Sequence, residues 1–166
     1  VEAGSPFPTC RLWLTDRPSD SAYLNIAHDR PEIALEDIPA EYVLIMIYNE
    51  NCLACIDEIA VLNQVYKSIE SNRTIGGRVK MIGIGMGSKK RNLNHFRQEH
   101  RIPFPLFADE RKTVFECLGG PVLPTSYLVR LSPKGSNRIE WIQRDHVHRP
   151  EDLVERIARI LDNQTP

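Results

Sequence analysis

The chain has 166 residues, of which 42% are hydrophobic and 26% charged. A single domain of that length buries a sizeable core without disulfide or metal staples. Lys and Arg number 21 against 22 Asp and Glu, for a formal charge of −1, which excludes the basic field that nucleic-acid binding requires. Four cysteines are too few for a disulfide scaffold, and no apolar run approaches the roughly 18 residues of a membrane span.

The opening, "VEAGSPFPT" and on to Asp20, is rich in Pro, Ser and Thr. It reads as an extended arm over residues 1–21 with little regular structure, ahead of a domain over 22–166. A chain starting at Val1 suggests a processed export product or a trimmed sequence, with any signal or lipid anchor lying upstream. Short strands are predicted at Ala22–Ile26 and Glu32–Leu35. "YVLIMIY", Tyr42 to Tyr48, is continuous, apolar and partly β-branched, as a central strand covered on both faces should be.

From Leu53 the period turns helical. Ile56, Ile59, Ala60, Leu62, Asn63, Tyr66 and Ile69 recur at spacings near three and four, up to the turn residues "SNRTIGGR". "VKMIGIG" reads as the next buried strand. "SKKRNLNHFRQEH" reads as a helix capped by Ser88, with Lys89, Lys90 and Arg91 as its solvated start. "FPLFAD" is a short strand, and "ERKTVFECLG" a helix closed by Gly119 and Gly120. "TSYLVRL" and "RIEWIQRD" flank the turn "SPKGSN", and "EDLVERIARIL" is an amphipathic final helix. The order β-α-β-α-β-β-α after a variable front predicts an α/β fold. Its central mixed sheet has parallel strands, a late antiparallel addition, and helices on both faces. Trp13 and Trp141 have no motif around them and read as packing residues.

Chemistry concentrates in "YNENCLACIDE". Cys52 and Cys55 are three apart, between a strand and a helix. At a helix start, free N–H groups and the helix dipole stabilise a thiolate on the first cysteine. That thiolate attacks a disulfide, and the second cysteine, one turn deeper, resolves the mixed disulfide. Two other readings stand beside this one. Cys is a common buried small hydrophobe, and a metal would need further ligands, for which only His146 and His148 in "RDHVHRP" offer themselves. A second signal is "GGPVLPTSYLV", in which Pro124 enters an apolar strand. It is either a plain strand entry or a cis-proline in a tight turn.

With both motifs in view, the sequence resembles the thioredoxin-like superfamily, and within it the extracytoplasmic thiol–disulfide oxidoreductases of the TlpA/ResA type. "YVLIMIYNENCLACIDEIAVLNQVYKSI" is similar to that family's strand, active-site turn and first helix. "FPLFADERKTVFECLGGPVLPTSYLV" is similar to its later helix and cis-proline strand, and "EIALEDI" to its lead-in. The similarity runs from about Ala22 to Leu161. It implies a thioredoxin-like fold, Cys52 as nucleophile, Cys55 as resolving thiol and Pro124 as the cis-proline. The backbone of Leu123 would pair with an incoming peptide as a short added strand. Glu58, one turn after Cys55, would take part in proton transfer; otherwise it is a plain helix-surface carboxylate. Asn51, Leu53 and Ala54 would face the client.

The redox-active disulfide Cys52–Cys55 would stand in place of a cofactor, with no metal. The partners would be protein dithiols and disulfides together with an upstream redox donor. The resemblance further implies a monomer in an extracytoplasmic, periplasmic setting, free or tethered through a segment outside this chain.

The departures bear on potential and partner. Asn51 replaces the family's usual Trp, Leu53-Ala54 lacks its Pro, and Glu50 would oppose a thiolate at Cys52. A thiol peroxidase of the peroxiredoxin type is a second reading, but its P-x-x-x-T-x-x-C pattern meets Ile45 and Asn49 here. A copper-delivery module using the cysteines and a histidine is a third. Cys10 and Cys117 are expected as free thiols, with a bridge between them as the alternative. "GIGMGSKK" lacks the phosphate-loop spacing. Asn72-Arg73-Thr74 and Asn163-Gln164-Thr165 fit the glycosylation pattern.

Overall fold

The computed structural model describes residues 1–14 and 17–163; Gln164 and Thr165 of the second glycosylation pattern lie outside the described residues. The front of the chain differs from the expected loose arm. Residues 4–7 run along an edge of the main sheet, with Gly4 N–H donating to Ile139 O at 2.7 Å and Phe7 N–H to Asn137 O at 2.8 Å. Strand β1 (Arg11–Trp13) follows, then helix α1 (Pro18–Leu24), where a strand over Ala22–Ile26 had been expected. Strand β2 (Glu32–Ala34) pairs antiparallel with β1, setting Leu12 opposite Ile33. Helix α1 runs through residues 21 and 22, the point at which the arm was expected to give way to the domain.

The short α1 has poor helix formers in Ser19, Asp20 and Ser21 and holds its place by tertiary contact. Asp20, 2% exposed, meets Arg97 at 2.7 Å, and Leu24 is fully buried. Tyr23 accepts the N–H of Met81 at 2.9 Å.

The rest follows the predicted order. Strand β3 (Tyr42–Tyr48) leads into α2 (Leu53–Ser71), β4 (Val79–Met86), α3 (Lys90–Glu99), β5 (Leu106–Asp109), the short α4 (Thr113–Cys117), β6 (Thr125–Arg130), β7 (Arg138–Gln143) and α5 (Pro150–Asn163). The sheet order is β5-β4-β3-β6-β7. β4 is parallel to β3 and β5, while β6 runs antiparallel to β3 and β7 antiparallel to β6. The sheet is therefore mixed, as the strand-helix alternation implied.

Alternation along β3 divides the core in two. Tyr42, Leu44, Met46 and Tyr48 pack with Ile59, Leu62 and Val65 of α2, Phe96 of α3, and Leu153 and Ile157 of α5. Val43, Ile45 and Ile47 face the opposite way. They are covered by Phe7, Leu12 and Leu14 from the front of the chain, with Leu24 of α1 and Val114 of α4. The front segment is thus a wall of the second core, because without it one face of a wholly apolar strand would meet water.

Ser88 does not cap α3. The cap position falls on Lys89, without a side-chain bond, and the buried Ser88 hydroxyl donates to the Glu50 carboxylate instead. A charged acceptor makes the stronger hydrogen bond. α4 starts from the end of β5, where the Asp109 carboxylate accepts the N–H groups of Val114 at 3.2 Å and Phe115 at 3.0 Å. It closes through Gly119 and Gly120, both at positive φ.

Candidate active site

The site forms where β3 ends and α2 begins. Asn49 shapes the turn. Its Nδ2 donates to Met86 O at 2.8 Å, and its Oδ1 accepts the N–H of Asn51 at 2.9 Å. Cys52 N–H donates to Asn49 O at 3.1 Å. Cys52 is then the N-cap of α2, its Sγ accepting the N–H of Cys55 at 3.2 Å. A sulfur receiving a helix-start N–H is placed where a thiolate is favoured.

Cys52 and Cys55 are joined as a disulfide with Cα atoms 5.2 Å apart. Cys52 is half-buried and Cys55 has no exposure, so one sulfur is open to a partner and the other is shielded. Glu50, expected to oppose a charge at Cys52, turns its carboxylate to Ser88 and to Asn92, whose Nδ2 donates at 3.1 Å.

The loop before β6 supplies the other wall. The Leu123–Pro124 peptide is cis, and Leu123 O lies 3.9 Å from Cys52 Sγ across a separation of 71 residues. Leu53 and Val122 are 78% and 81% exposed, and Asn51 and Ala54, which flank Cys52 and Leu53 in the chain, are exposed too. The structure thus gathers Cys52, Cys55, Leu123 and Pro124, with Asn51, Leu53 and Ala54 at the rim.

Glu58 is not a surface carboxylate. It is 2% exposed, one turn below Cys55 on the same face of α2. Burial pushes its carboxyl upward, opposed by the Val147 N–H and by His146. His146 Nδ1 lies 2.9 Å from Glu58 Oε2, and Val147 N–H reaches the same oxygen at 3.4 Å. His146 and His148 had been considered only as metal ligands. They meet edge to face, ring centroids 5.0 Å apart, and no group of three or more His, Cys, Asp or Glu able to hold a metal occurs among the described residues. His146 is engaged by Glu58.

The peroxidase pattern is absent for structural reasons too. Ile45 is fully buried in β3, and Asn49 holds the turn with both ends of its amide. Cys10 and Cys117 are free thiols. Cys117 is exposed on α4 rather than packed beside Val114 and Leu118. The Cys10 thiol is pushed up to about 12, first by burial and then by the nearby charges of Asp109, Glu36 and Cys117.

A mixed five-stranded sheet with helices on both faces and a Cys-x-x-Cys pair at the start of the helix after its central strand defines a thioredoxin-like protein. The chain belongs to the AhpC/TSA family, whose profile matches residues 20–133. It is 24% identical over 98 residues to the thiol-disulfide oxidoreductase ResA of Geobacillus thermodenitrificans, a match that covers 59% of this chain and about half (53%) of that relative's length. Among solved structures, a thiol:disulfide interchange protein from Bacteroides sp. superposes with a TM-score of 0.69 at 17% identity, covering 99% of this chain and 93% of that one. A secreted Mycobacterium tuberculosis disulfide oxidoreductase does so with a TM-score of 0.63 at 14% identity, covering 90% and 95%. At these identities the structural likeness speaks for the fold. No helix among the described residues is long and apolar enough to cross a membrane.

Proposed function

We propose that this chain is a thiol–disulfide oxidoreductase that exchanges electrons with protein dithiols and disulfides through Cys52 and Cys55. The observation that carries the reading is the half-buried Cys52 sulfur at the cap of α2, bonded to a fully buried Cys55 and accepting that residue's N–H at 3.2 Å.

In the reduced protein Cys52 thiolate attacks a client disulfide, one client sulfur leaves as a thiolate, and a mixed disulfide forms. Cys55 thiolate then attacks Cys52 Sγ. The bond from Cys52 to the client breaks, its electron pair leaves with the client sulfur, and the intramolecular disulfide closes. Two electrons have passed to the client, and an upstream dithiol donor returns the pair to its reduced form. Run in reverse, the same steps oxidise a client dithiol. Glu58 is the base that takes the Cys55 proton, since Cys55 has no solvent contact of its own. Pro124 in its cis form turns the Leu123 backbone toward Cys52, where an extended client segment hydrogen-bonds as an added strand. Asn51, Leu53 and Ala54 contact that segment from the opposite side. The disulfide serves in place of a cofactor, and the protein works as a monomer in an extracytoplasmic, periplasmic compartment where protein disulfides persist.

The deciding experiment is a redox titration against dithiothreitol couples, read by thiol trapping and peptide mapping. Cys52 and Cys55 are expected to interconvert together at one potential. A value near about −270 mV or below marks a reductant, and one near about −120 mV an oxidant. Failure of the pair to form and break together would overturn the proposal. So would peroxide consumption that depends on Cys52 while Cys55 is dispensable.

A further inference from the structure

The exchange reading leaves a proton without a route. Cys55 must lose it before attacking Cys52, Cys55 is fully buried, and the Glu58 that takes it is itself sealed at 2% exposure. A buried carboxyl with no path to water could exchange its proton only with Cys55.

Among the described residues, His146 spans the gap. His146 reaches Glu58 Oε2 with Nδ1 at 2.9 Å, yet its own side chain is 42% exposed. It stands on the loop between β7 and α5, 88 residues from Glu58 in sequence. Two bonds hold the loop in place: Gln143 Nε2 donates to Asp145 O at 2.6 Å, and Val147 N–H points at the Glu58 carboxylate.

We propose that His146 is a relay residue carrying protons between the buried Glu58 and solvent, so that resolution by Cys55 runs through a Cys55–Glu58–His146 path. The proposal rests on the thiol–disulfide exchange reading and adds to it a residue that touches none of the reacting sulfurs. As the intramolecular disulfide closes, Cys55 S–H gives its proton to Glu58. Glu58 passes a proton to Nδ1, and the ring releases one from Nε2 to water. The ring is left with its proton on Nδ1. When the disulfide is next reduced, the flow reverses. Nε2 takes a proton from water, Nδ1 returns one to Glu58, and Glu58 protonates Cys55. The two half-cycles move protons in opposite directions, so each resets the tautomer for the other and the ring need not flip.

The surroundings leave this path undisturbed. The titratable groups acting on Glu58 are His146 and His148, both from the same loop, beside Cys55 on its own helix. α5, which also packs against α2, turns Leu153, Ile157 and Leu161 into this core and keeps Glu151, Asp152 and Glu155 exposed. His148 meets the His146 ring edge to face and makes no bond to Glu58.

The test uses reduced protein in which Cys10→Ser and Cys117→Ser silence the two other thiols and the site is otherwise wild type, mixed rapidly with dithiobis(nitrobenzoate), which releases one coloured thiolate as Cys52 is capped and a second as Cys55 closes the disulfide. Both phases are followed from about pH 5 to about pH 9, the range around imidazole titration. His146→Gln is expected to slow the second release about a hundredfold, the lower reach of general acid–base effects. It should flatten the pH profile of that phase, leave the first release as in the wild type, and recover on addition of free imidazole. Glu58→Gln should slow the second release as well, and His146→Gln should add nothing in that background.

If the wild type completes both phases and His146→Gln matches its second phase in rate and pH profile, the relay is overturned while the exchange reading stands. If His146→Gln slows the Glu58→Gln protein further, the route through Glu58 is wrong. If the wild type never releases the second thiolate, the exchange reading itself falls and takes the relay with it.

Discussion

Cys52 and Cys55 differ in burial rather than in chemistry, and in the proposed exchange that difference sets their order of action. Cys55→Ser is therefore expected to leave Cys52 able to attack but unable to be released, accumulating a mixed disulfide detectable by intact mass. Cys52→Ser should capture none. Glu58 provides a thermodynamic handle on the same region. Burial raises its folded carboxyl above the ordinary value of 4.5, so the native state holds its proton more tightly than the unfolded chain. The stability this confers is complete below the ordinary value and is lost as pH rises through the raised one. Glu58→Gln, which stays neutral, should show no such loss. Denaturant midpoints of the oxidised proteins should favour the variant increasingly as pH rises, and parallel curves would contradict the assignment. The two remaining thiols separate as sharply. Burial holds the Cys10 thiol well above its ordinary range and shields it, so alkylation mapping should modify the exposed Cys117 far ahead of Cys10.

Elements differ in how far local sequence determines them. β3 was legible because seven consecutive apolar residues admit few other structures, and α2 because its apolar spacing persists over five turns. α1 was misread as a strand. Pro18 at its first turn is a helix-start signal, but the residues after it favour caps and turns, and what holds the helix is the buried Asp20–Arg97 pair. Arg97→Met takes a charged partner from the buried Asp20 and is expected to cost about 3–5 kcal/mol in chemical denaturation. Replacing both Asp20 and Arg97 by apolar residues of similar volume should recover most of that loss. A small, equal effect of single and double replacements would show that the pair does not hold α1. The misplaced Ser88 cap has a related cause, since the carboxylate that claims its hydroxyl comes from Glu50, 38 residues away.

Across the whole molecule, the sheet has two faces and the chain supplies two covers. α2, α3 and α5 close one. The other is closed largely by residues before β3, and residues 4–7 also bond to the outer edge of β7. A long unpaired edge invites association, and pairing removes that hazard. Deleting residues 1–14 is therefore expected to expose Val43, Ile45 and Ile47, bind hydrophobic dye and broaden the unfolding transition. Phe7→Ala alone should cost about 3–5 kcal/mol, as other large core truncations do. A truncated chain that unfolds as cooperatively as the full one would show the front to be dispensable.

From β3 onward, the sequence alone carried the strand-helix order, the mixed sheet and the Cys-x-x-Cys pair at the start of α2. These depend on residues within one or two turns of each other, where periodicity and spacing carry the information. It took the assembled fold to show that the front of the chain is core, that Leu123 O sits beside Cys52, and that Glu58 is buried against His146. Those pairings join positions 71 and 88 residues apart. No local pattern encodes such a contact, because its energy is gained only when the whole sheet has assembled and brought its loops to one end.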